Sequence, residues 1–398
     1  MNKNKLIVMF ITFAVLIAAT PFIFGKLMNS RYNQMLNDLR SKGISINVVK
    51  DKSTYLQTDK VLEVSIPSKL LNDNGVIKEI KLHIETKFKN LPVTNVLFFG
   101  KLDQVVLSDQ YKNLESKINP FLQKYIKFVV TTPNFRDYAY KFDDIVIKDK
   151  ADIGIKNIKG TFKNGKLIKN SLNIKEIYIK DKKGYFEIKN FKNHFEGNEK
   201  STYSKTNFDV DVNINRFKLQ VQNVYSTTKT LLSKEVTVHS SLGFDSLDVP
   251  NMANAQNFDV KAQINGIETK ILEQLAKAPK DEQEQYLDKI FEKGFNINVN
   301  SRLKDAKVMQ RDLGGYNLGL NIKFLPTKNF RAKVNSKNID FVDIKLDLTT
   351  TPQIANLIMN MVPRSAFLFA LAKKKNGKVV LNLEYKKGQL YSDGQLIK

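Results

Sequence analysis

From Ile44 onward, apolar residues of this chain recur at every second position far more often than at helical spacing. Phe208, Val210, Val212 and Ile214 alternate with Asp209, Asp211 and Asn213, and Phe258, Val260, Ala262 and Ile264 alternate with Asp259, Lys261 and Gln263. The same rule governs Phe295, Ile297 and Val299, then Tyr316, Leu318, Leu320, Ile322 and Phe324. It returns in Ile344, Leu346 and Leu348, and in Val379, Leu381, Leu383 and Tyr385. Successive side chains of a strand point to opposite faces, so each run has one apolar and one polar face. Strands of a buried parallel sheet would read as unbroken apolar runs instead. Turn dipeptides separate the runs: Asn164-Gly165, Lys183-Gly184, Asn376-Gly377, Lys387-Gly388 and Asp393-Gly394. The pattern predicts a mainly β chain built of extended antiparallel sheets.

Helical spacing interrupts this rule in few places. Lys270 to Ala278 carries Ile271, Leu272 and Leu275 before Pro279 breaks it. Asp281 suits an N-cap for a second helix through Lys293, with Tyr286, Leu287, Ile290 and Phe291 at helical spacing and Gly294 as its stop. Together they predict a short helical hairpin. A third, strongly apolar segment from Gln353 to Ala372 is divided by Pro363-Arg364. It reads either as a C-terminal helix buried on a sheet face or as an element that dips into a membrane or closes a groove.

The N-terminus is a different material. Leu6 to Phe24 is an uncharged run preceded by Lys3 and Lys5 and followed by Lys26 and Arg31. As a helix at about 1.5 Å per residue it matches the hydrocarbon core of a bilayer. A cleaved secretory signal has a shorter apolar core and a small-residue cleavage site, whereas here Ala18-Ala19-Thr20 runs into Pro21. Residues 1–25 are therefore read as a transmembrane anchor, N-terminus inside. Met28, Tyr32, Met35, Leu36 and Leu39 continue a juxtamembrane helix over residues 26–43, which Gly43 ends. Residues 44–398 form a β-rich extracytoplasmic region, either one continuous architecture or two lobes meeting near residue 250. The expected location is the bacterial inner membrane, single-pass, with the bulk of the chain in the periplasm.

The chain has no cysteine, so thiolate chemistry, disulfides and zinc–thiolate sites are excluded. Its net charge is +24. The cations are overwhelmingly lysine and are spread along the chain, which suits solvated strand faces or attraction to anionic lipid better than nucleic acid. His83, His194 and His239 have no ligand-type residue at metal-binding spacing. Asp143 and Asp144 are neighbours on a strand and face opposite ways, while Asp281-Glu282 suits the first turn of a helix. Gly314-Gly315 precedes a strand, and no phosphate loop or nucleophile elbow is present. No catalytic residue, cofactor or metal ligand is assigned, and no enzyme activity is expected.

What remains is the apolar side of the strands. Val210, Val212, Val260, Ile297, Leu318, Leu320, Ile322 and Leu346 are the candidate lining of an apolar groove. Such a face must be covered by helices, by a second sheet or by a ligand. Three functions follow from it: a binding or scaffold role in the cell envelope, carriage of a lipid or amphiphile along the groove, or hydrolysis of an envelope polymer by carboxylates that converge only in the fold.

The order of these pieces resembles the bacterial YdgA-like family of envelope proteins. The likeness rests on the hydrophobic span ending in Pro21-Phe22-Ile23-Phe24-Gly25, on Leu97-Phe98-Phe99-Gly100-Lys101-Leu102, and on the helical pair from Ile271 to Phe291 before a strand. It also rests on the closing Tyr385-Lys386-Lys387-Gly388-Gln389-Leu390 with Gly394-Gln395 after it. The resemblance implies an inner-membrane-anchored protein of the Gram-negative envelope. It implies no activity and no functional residues.

Overall fold

The computed structural model describes residues 36–397 apart from 38–39, 42, 54–56, 71–75, 90–95, 134–136, 149–150, 280–281 and 337–338. The predicted anchor and the Asp281 cap lie outside the described residues. Among the described residues no helix is long and apolar enough to cross a membrane. The chain divides into two units: residues 1–182 with 190–194, and residues 183–189 with 195–398. Residue 250, where two lobes were expected to meet, falls instead in a hairpin turn inside the second unit. Both units are antiparallel β with few helices, as the alternation requires.

The first unit opens with Leu36, Asn37, Arg40 and Ser41 in helical conformation. Gly43 then takes φ +91 and donates its N–H to the Arg40 carbonyl at 2.9 Å. Strands β1 (Ser45–Asp51), β2 (Gln57–Pro67), β3 (Ile77–Lys89), β4 (Val96–Leu107) and β5 (Lys127–Thr132) pair in that order, each antiparallel to the next. Strands β6 (Asp137–Phe142) and β7 (Ile145–Lys148) are the two halves of one kinked strand, and β8 (Asp152–Lys156) and β9 (Lys159–Asn164) the halves of the next. Strand β10 (Ile168–Asp181) pairs with β9 along its first half and β8 along its second.

One face of this sheet is sealed. Ile80, Leu82, Phe98, Leu102, Val105 and Phe128 are all at most 2 % exposed. Helix α1 (Lys112–Tyr125) contributes buried Ile118 and Leu122 to the same core. Its polar side chains finish what β5 leaves undone. Beyond Lys101, strand β4 has no backbone partner from β5, and α1 supplies substitutes. Asn119 Oδ1 accepts the Val105 N–H at 2.7 Å while its Nδ2 donates to the Val105 carbonyl at 3.0 Å. Glu115 Oε2 accepts the Leu107 N–H at 2.8 Å. A buried backbone group left unpaired would cost about 1–3 kcal/mol, so these contacts permit β4 to outrun its neighbour.

The second unit is a meander. Strands β11 (Gly184–Gly197, of which 190–194 belong with the first unit), β12 (Ser201–Ile214), β13 (Phe217–Leu232), β14 (Glu235–Val249) and β15 (Ala253–Glu268) precede the helical hairpin. The hairpin consists of α2 (Thr269–Lys277) and α3 (Gln283–Lys293). Gly294 ends α3 at φ +73, its N–H bonded to the Ile290 carbonyl at 3.2 Å. Strands β16 (Phe295–Val308) and β17 (Arg311–Phe324) follow, then α4 (Phe330–Asn335) and β18 (Val342–Thr350). The apolar C-terminal segment forms α5 (Pro352–Met361) and a one-turn α6 (Ala366–Phe369), divided at Pro363 as its sequence indicates. Strands β19 (Lys373–Lys375), β20 (Lys378–Lys386), β21 (Gln389–Ser392) and β22 (Gln395–Leu396) close the chain. Strands β12 through β18 pair in sequence order, and β18 then pairs with β20.

Every turn dipeptide named above joins two strands. Asn376-Gly377, Lys387-Gly388 and Asp393-Gly394 have positive φ at both residues, the backbone that two-residue hairpins require. Four glycines sit directly across from an aromatic ring: Gly100 from Phe128, Gly154 from Tyr178, Gly160 from Tyr140, and Gly243 from Tyr225. A Cβ on Gly100 would stand 2.1 Å from Phe128 Cζ, so the ring occupies the space a side chain would need.

Candidate functional site: an open apolar sheet face

Cross-strand register brings the alternating apolar residues into rows. Leu320 lies opposite Val299 on one side and Leu346 on the other, and Leu346 lies opposite Leu383. Ile322 is flanked by Ile297 and Ile344, and Ile297 in turn faces Ile264. Leu318 is flanked by Ser301 and Leu348, with Val260 beyond Ser301 and Leu242 beyond Val260. Leu303 joins Phe258 to Tyr316, and Phe244 stacks on Phe258 with ring centroids 5.3 Å apart. On β13 the same face turns to hydroxyls, Ser226, Thr228 and Thr230, before Phe208 and Val210 on β12.

All eight residues singled out from the sequence stand on this one face. Val212 is buried; Val210, Val260, Ile297, Leu318, Leu320, Ile322 and Leu346 are half-buried. Ile264, Val299, Ile344 and Leu383, read from the sequence as alternating strand residues but not as lining, complete the rows, and Leu242 is the one member the sequence reading did not name.

Among the described residues, cover is present only at two margins. At the end where β15 runs into α2, Phe291 of α3 packs on Phe295 and Phe324 with centroids 5.3 and 5.4 Å away, and stacks on Phe330 of α4 at 3.6 Å. Arg331 of α4 ties back to α3 through Glu284 and, at 3.2 Å, through Asp288. Along the other margin, Leu368 and Phe369 of α6 pack with Leu371 against Leu348, Leu381 and Leu383. Between these margins the strands from β14 to β16 carry apolar side chains that solvent reaches; Leu242 is 52 % exposed. Sealing here differs sharply from the first unit, where the equivalent rows are near zero.

Helix α5 departs from the simpler of its two readings. Only its Ile354 and Ala355 are buried, while Leu357 and Met361, and beyond its end Val362 and Phe367, are 42–74 % exposed. The helix therefore lines the margin of the face and does not act as a core helix.

The opposite face is polar and internally bonded. Lys189 lies 2.6 Å from Glu187 and 3.4 Å from Asp211, and the Glu187 hydrogen bond holds its ammonium above the ordinary lysine range. Tyr225 donates to Asp259 at 3.0 Å, and burial with that carboxylate pushes the phenol up to about 12. A line of Asp and Asn crosses the strands. Asp209 Oδ1 accepts the Asn223 N–H at 2.8 Å, Asn223 Nδ2 donates to Asp245 at 2.9 Å, and Asn207 Nδ2 donates to Asn223 Oδ1 at 3.0 Å. In the first unit Asp144 accepts the Asn157 N–H at 2.7 Å, which gives one member of the adjacent Asp143-Asp144 pair a structural role.

Each unit also carries a polar concavity among its described residues. One of about 400 Å³ in the first unit is lined by Ser45, Glu63, Ser65, Glu79, Lys81 and Gln123 among others. One of about 290 Å³ in the second is lined by Lys345, Asp347, Asn382, Glu384 and Asp393. Among the described residues no three His, Asp or Glu side chains gather at metal-holding distance. No family model, curated protein or solved structure matches the chain.

Proposed function

We propose that the second unit binds the acyl chain of an amphiphile along its open apolar face, as part of a membrane-anchored protein of the bacterial envelope. The observation that carries this reading is the half-exposed state of the rows through Leu242, Val260, Ile297, Leu318 and Leu320, beside margins that helices do seal. Strands about 4.8 Å apart and rows about 6.8 Å apart give the face a width of three or four strands and a length of several rows. That is room for an extended acyl chain. Burying methylenes is worth about 0.8 kcal/mol each. A chain of about sixteen carbons, shielded on one side only, gains on the order of 6 kcal/mol before its immobilisation is charged.

Among the described residues the face offers no titrating pair or oriented donor to a head group, so selectivity would rest on chain length and shape. The hydroxyls of Ser226, Thr228 and Thr230 at the β13 end supply a gradient from apolar to polar along it.

The test is photocrosslinking of the full chain with a diazirine-bearing fatty acid, followed by peptide mass spectrometry. Adducts concentrated on β14 to β17, competed by unlabelled palmitate and lost in Leu320→Asp, support the reading. Adducts scattered over both faces, or unchanged in Leu320→Asp while the variant keeps its circular dichroism, refute it.

A further inference from the structure

Hairpin turns at one end of the second unit form a row whose composition differs from the rest of the sheet. The β12–β13 turn closes at Ile214 opposite Phe217, the β14–β15 turn at Val249 opposite Ala253, and the β16–β17 turn at Val308 opposite Arg311. Register puts them side by side: Gln220 faces Asp248, Ala253 faces Val308, and the Met309 N–H donates to the Met252 carbonyl at 2.7 Å. The β19–β20 turn joins the same end, because Val379 faces Thr350, which faces Tyr316.

These turns hold large apolar side chains in solvent. Ile214 is 43 % exposed, Phe217 47 %, Met252 54 %, Val308 41 % and Met309 71 %. Cations surround them: Arg216 and Lys218 on the first turn, Lys307 and Arg311 on the third, Lys374, Lys375 and Lys378 on the fourth, all exposed. Among the described residues none of these seven makes an ion pair. The acids nearby include Asp248, Asp305, Asp312 and Asp393: Asp312, across from Lys307, accepts the Gly314 N–H at 2.8 Å, and Asp393 pairs with Lys373 at 2.8 Å. The opposite end of the same strands is balanced: Lys293 pairs with Glu268 at 3.2 Å, and Glu199 and Glu235 sit at its turns. The +24 charge of the chain thus has a local focus where apolar tips project.

We infer that this end of the second unit docks on an anionic lipid bilayer, with Phe217, Met252 and Met309 entering the interface and the surrounding Lys and Arg meeting the head groups. Exposed apolar side chains ringed by cations gain from burial and from the negative surface potential together, and both gains vanish on a neutral or high-salt surface. The ring of unpaired cations around the apolar tips favours an anionic lipid surface over an apolar protein partner. The inference goes beyond the acyl-chain reading and does not rest on it.

The cysteine-free sequence permits a clean test on the full chain. Met309→Cys and Ser233→Cys, at opposite ends, are each labelled with an environment-sensitive fluorophore and placed in nanodiscs. Two compositions are compared: pure phosphatidylcholine, and phosphatidylcholine with about one-third phosphatidylglycerol. The label at 309 should blue-shift and be quenched by chain-brominated lipid only in the anionic discs, and the label at 233 should not. Arg311→Gln with Lys374→Gln and Lys375→Gln should abolish the shift, whereas Leu320→Asp, which blocks the apolar face, should leave it intact. A solvent-like signal at 309 in anionic discs, an equal shift at both ends, or persistence in the charge-removed variant overturns the inference. Loss of the shift in Leu320→Asp also overturns it, because the tips would then follow the groove and not the surface.

Discussion

Truncating one leucine on the first unit and two on the second separates an open face from a packed core. Leu82 is 1 % exposed within the first unit's core, Leu242 is 52 % exposed on the second unit's apolar face, and Leu320 is half-buried between Val299 and Leu346. Removing a buried leucine to alanine loses its transfer free energy and leaves a cavity, together about 2–5 kcal/mol. Leu82→Ala should fall in that range. On an open face water fills the space, so the cavity contribution is absent and only the part of the side chain already shielded is lost. Leu242→Ala should therefore cost under about 1 kcal/mol, and Leu320→Ala about 1 kcal/mol. Because the chain has two units, a single global transition is not assured. Hydrogen exchange with mass spectrometry, read on peptides from β3, β14 and β17 across a urea series, resolves each locally. If Leu242→Ala and Leu320→Ala cost as much as Leu82→Ala, the face is covered in solution and the acyl-chain reading loses its foundation.

Other perturbations test how the sheet is built. Asn119→Leu should destabilise the first unit by about 2–4 kcal/mol, since it strands both Val105 backbone groups in the core; exchange on β4 and α1 peptides measures it. Asn223→Ala should cost about 1–2 kcal/mol, because alanine resists φ +49 and cannot bond Asp245, and Asn223→Gly should recover part of that by relieving the backbone alone. Burial pushes Tyr140 up to about 12 from 10, and its hydroxyl donates to the Ser171 carbonyl at 3.0 Å. A raised folded pKa means the contribution is whole below pH 10 and lost as pH climbs toward 12. Alkaline unfolding of the first unit, followed by tyrosinate absorbance, should therefore flatten in Tyr140→Phe.

Alternation and turn dipeptides made the strand architecture legible, because a sheet with two unlike faces writes its period directly into the chain. Coverage was not legible. Strand β4 places Val96, Phe98 and Leu102 at 0–1 % exposure, and β17 leaves Leu318, Leu320 and Ile322 half open, from equally regular patterns. The difference comes from α1, whose Ile118 and Leu122 seal the first unit, and Pro120 within it disguises the helix as a break. Likewise the apolar 353–372 segment looks like core material, yet its burial depends on where the chain carries it after β18. Periodicity reports what a strand can bury; the partner is set by distant sequence.

One further signal lay in the sequence at hairpin period. Ile155-Lys156-Asn157-Ile158, Ile188-Lys189-Asn190-Phe191, Val221-Gln222-Asn223-Val224 and Ala255-Gln256-Asn257-Phe258 recur at intervals of roughly 33 residues. All four asparagines have φ between 51 and 56 or at 49, in the left-handed region. Their apolar neighbours are three positions apart, which on a regular strand would place them on opposite faces. The bulge cancels that: Ile155 and Ile158 are both buried, at 2 % and 0 %. In the second unit the apolar set changes parity strand by strand along one line. Val221, Leu247, Ala255 and Ala306 pair across on the turn side of it, and Phe258 and Leu303 on the other. A one-residue slip reverses every side chain, so a parity change in one strand alone would drive polar residues onto the apolar face. Strand β12 alone stays regular, with Phe208 facing Val224 and Val210 facing Val221, and there the register itself shifts by one residue. Gly314, at φ +67 where the β16–β17 register shifts, makes the same correction after the helical insertion. The Asp–Asn hydrogen bonds of Asn207, Asp209, Asn223 and Asp245 tie β12, β13 and β14 together at this line, so a polar ladder marks the place where the apolar set changes parity on the other face.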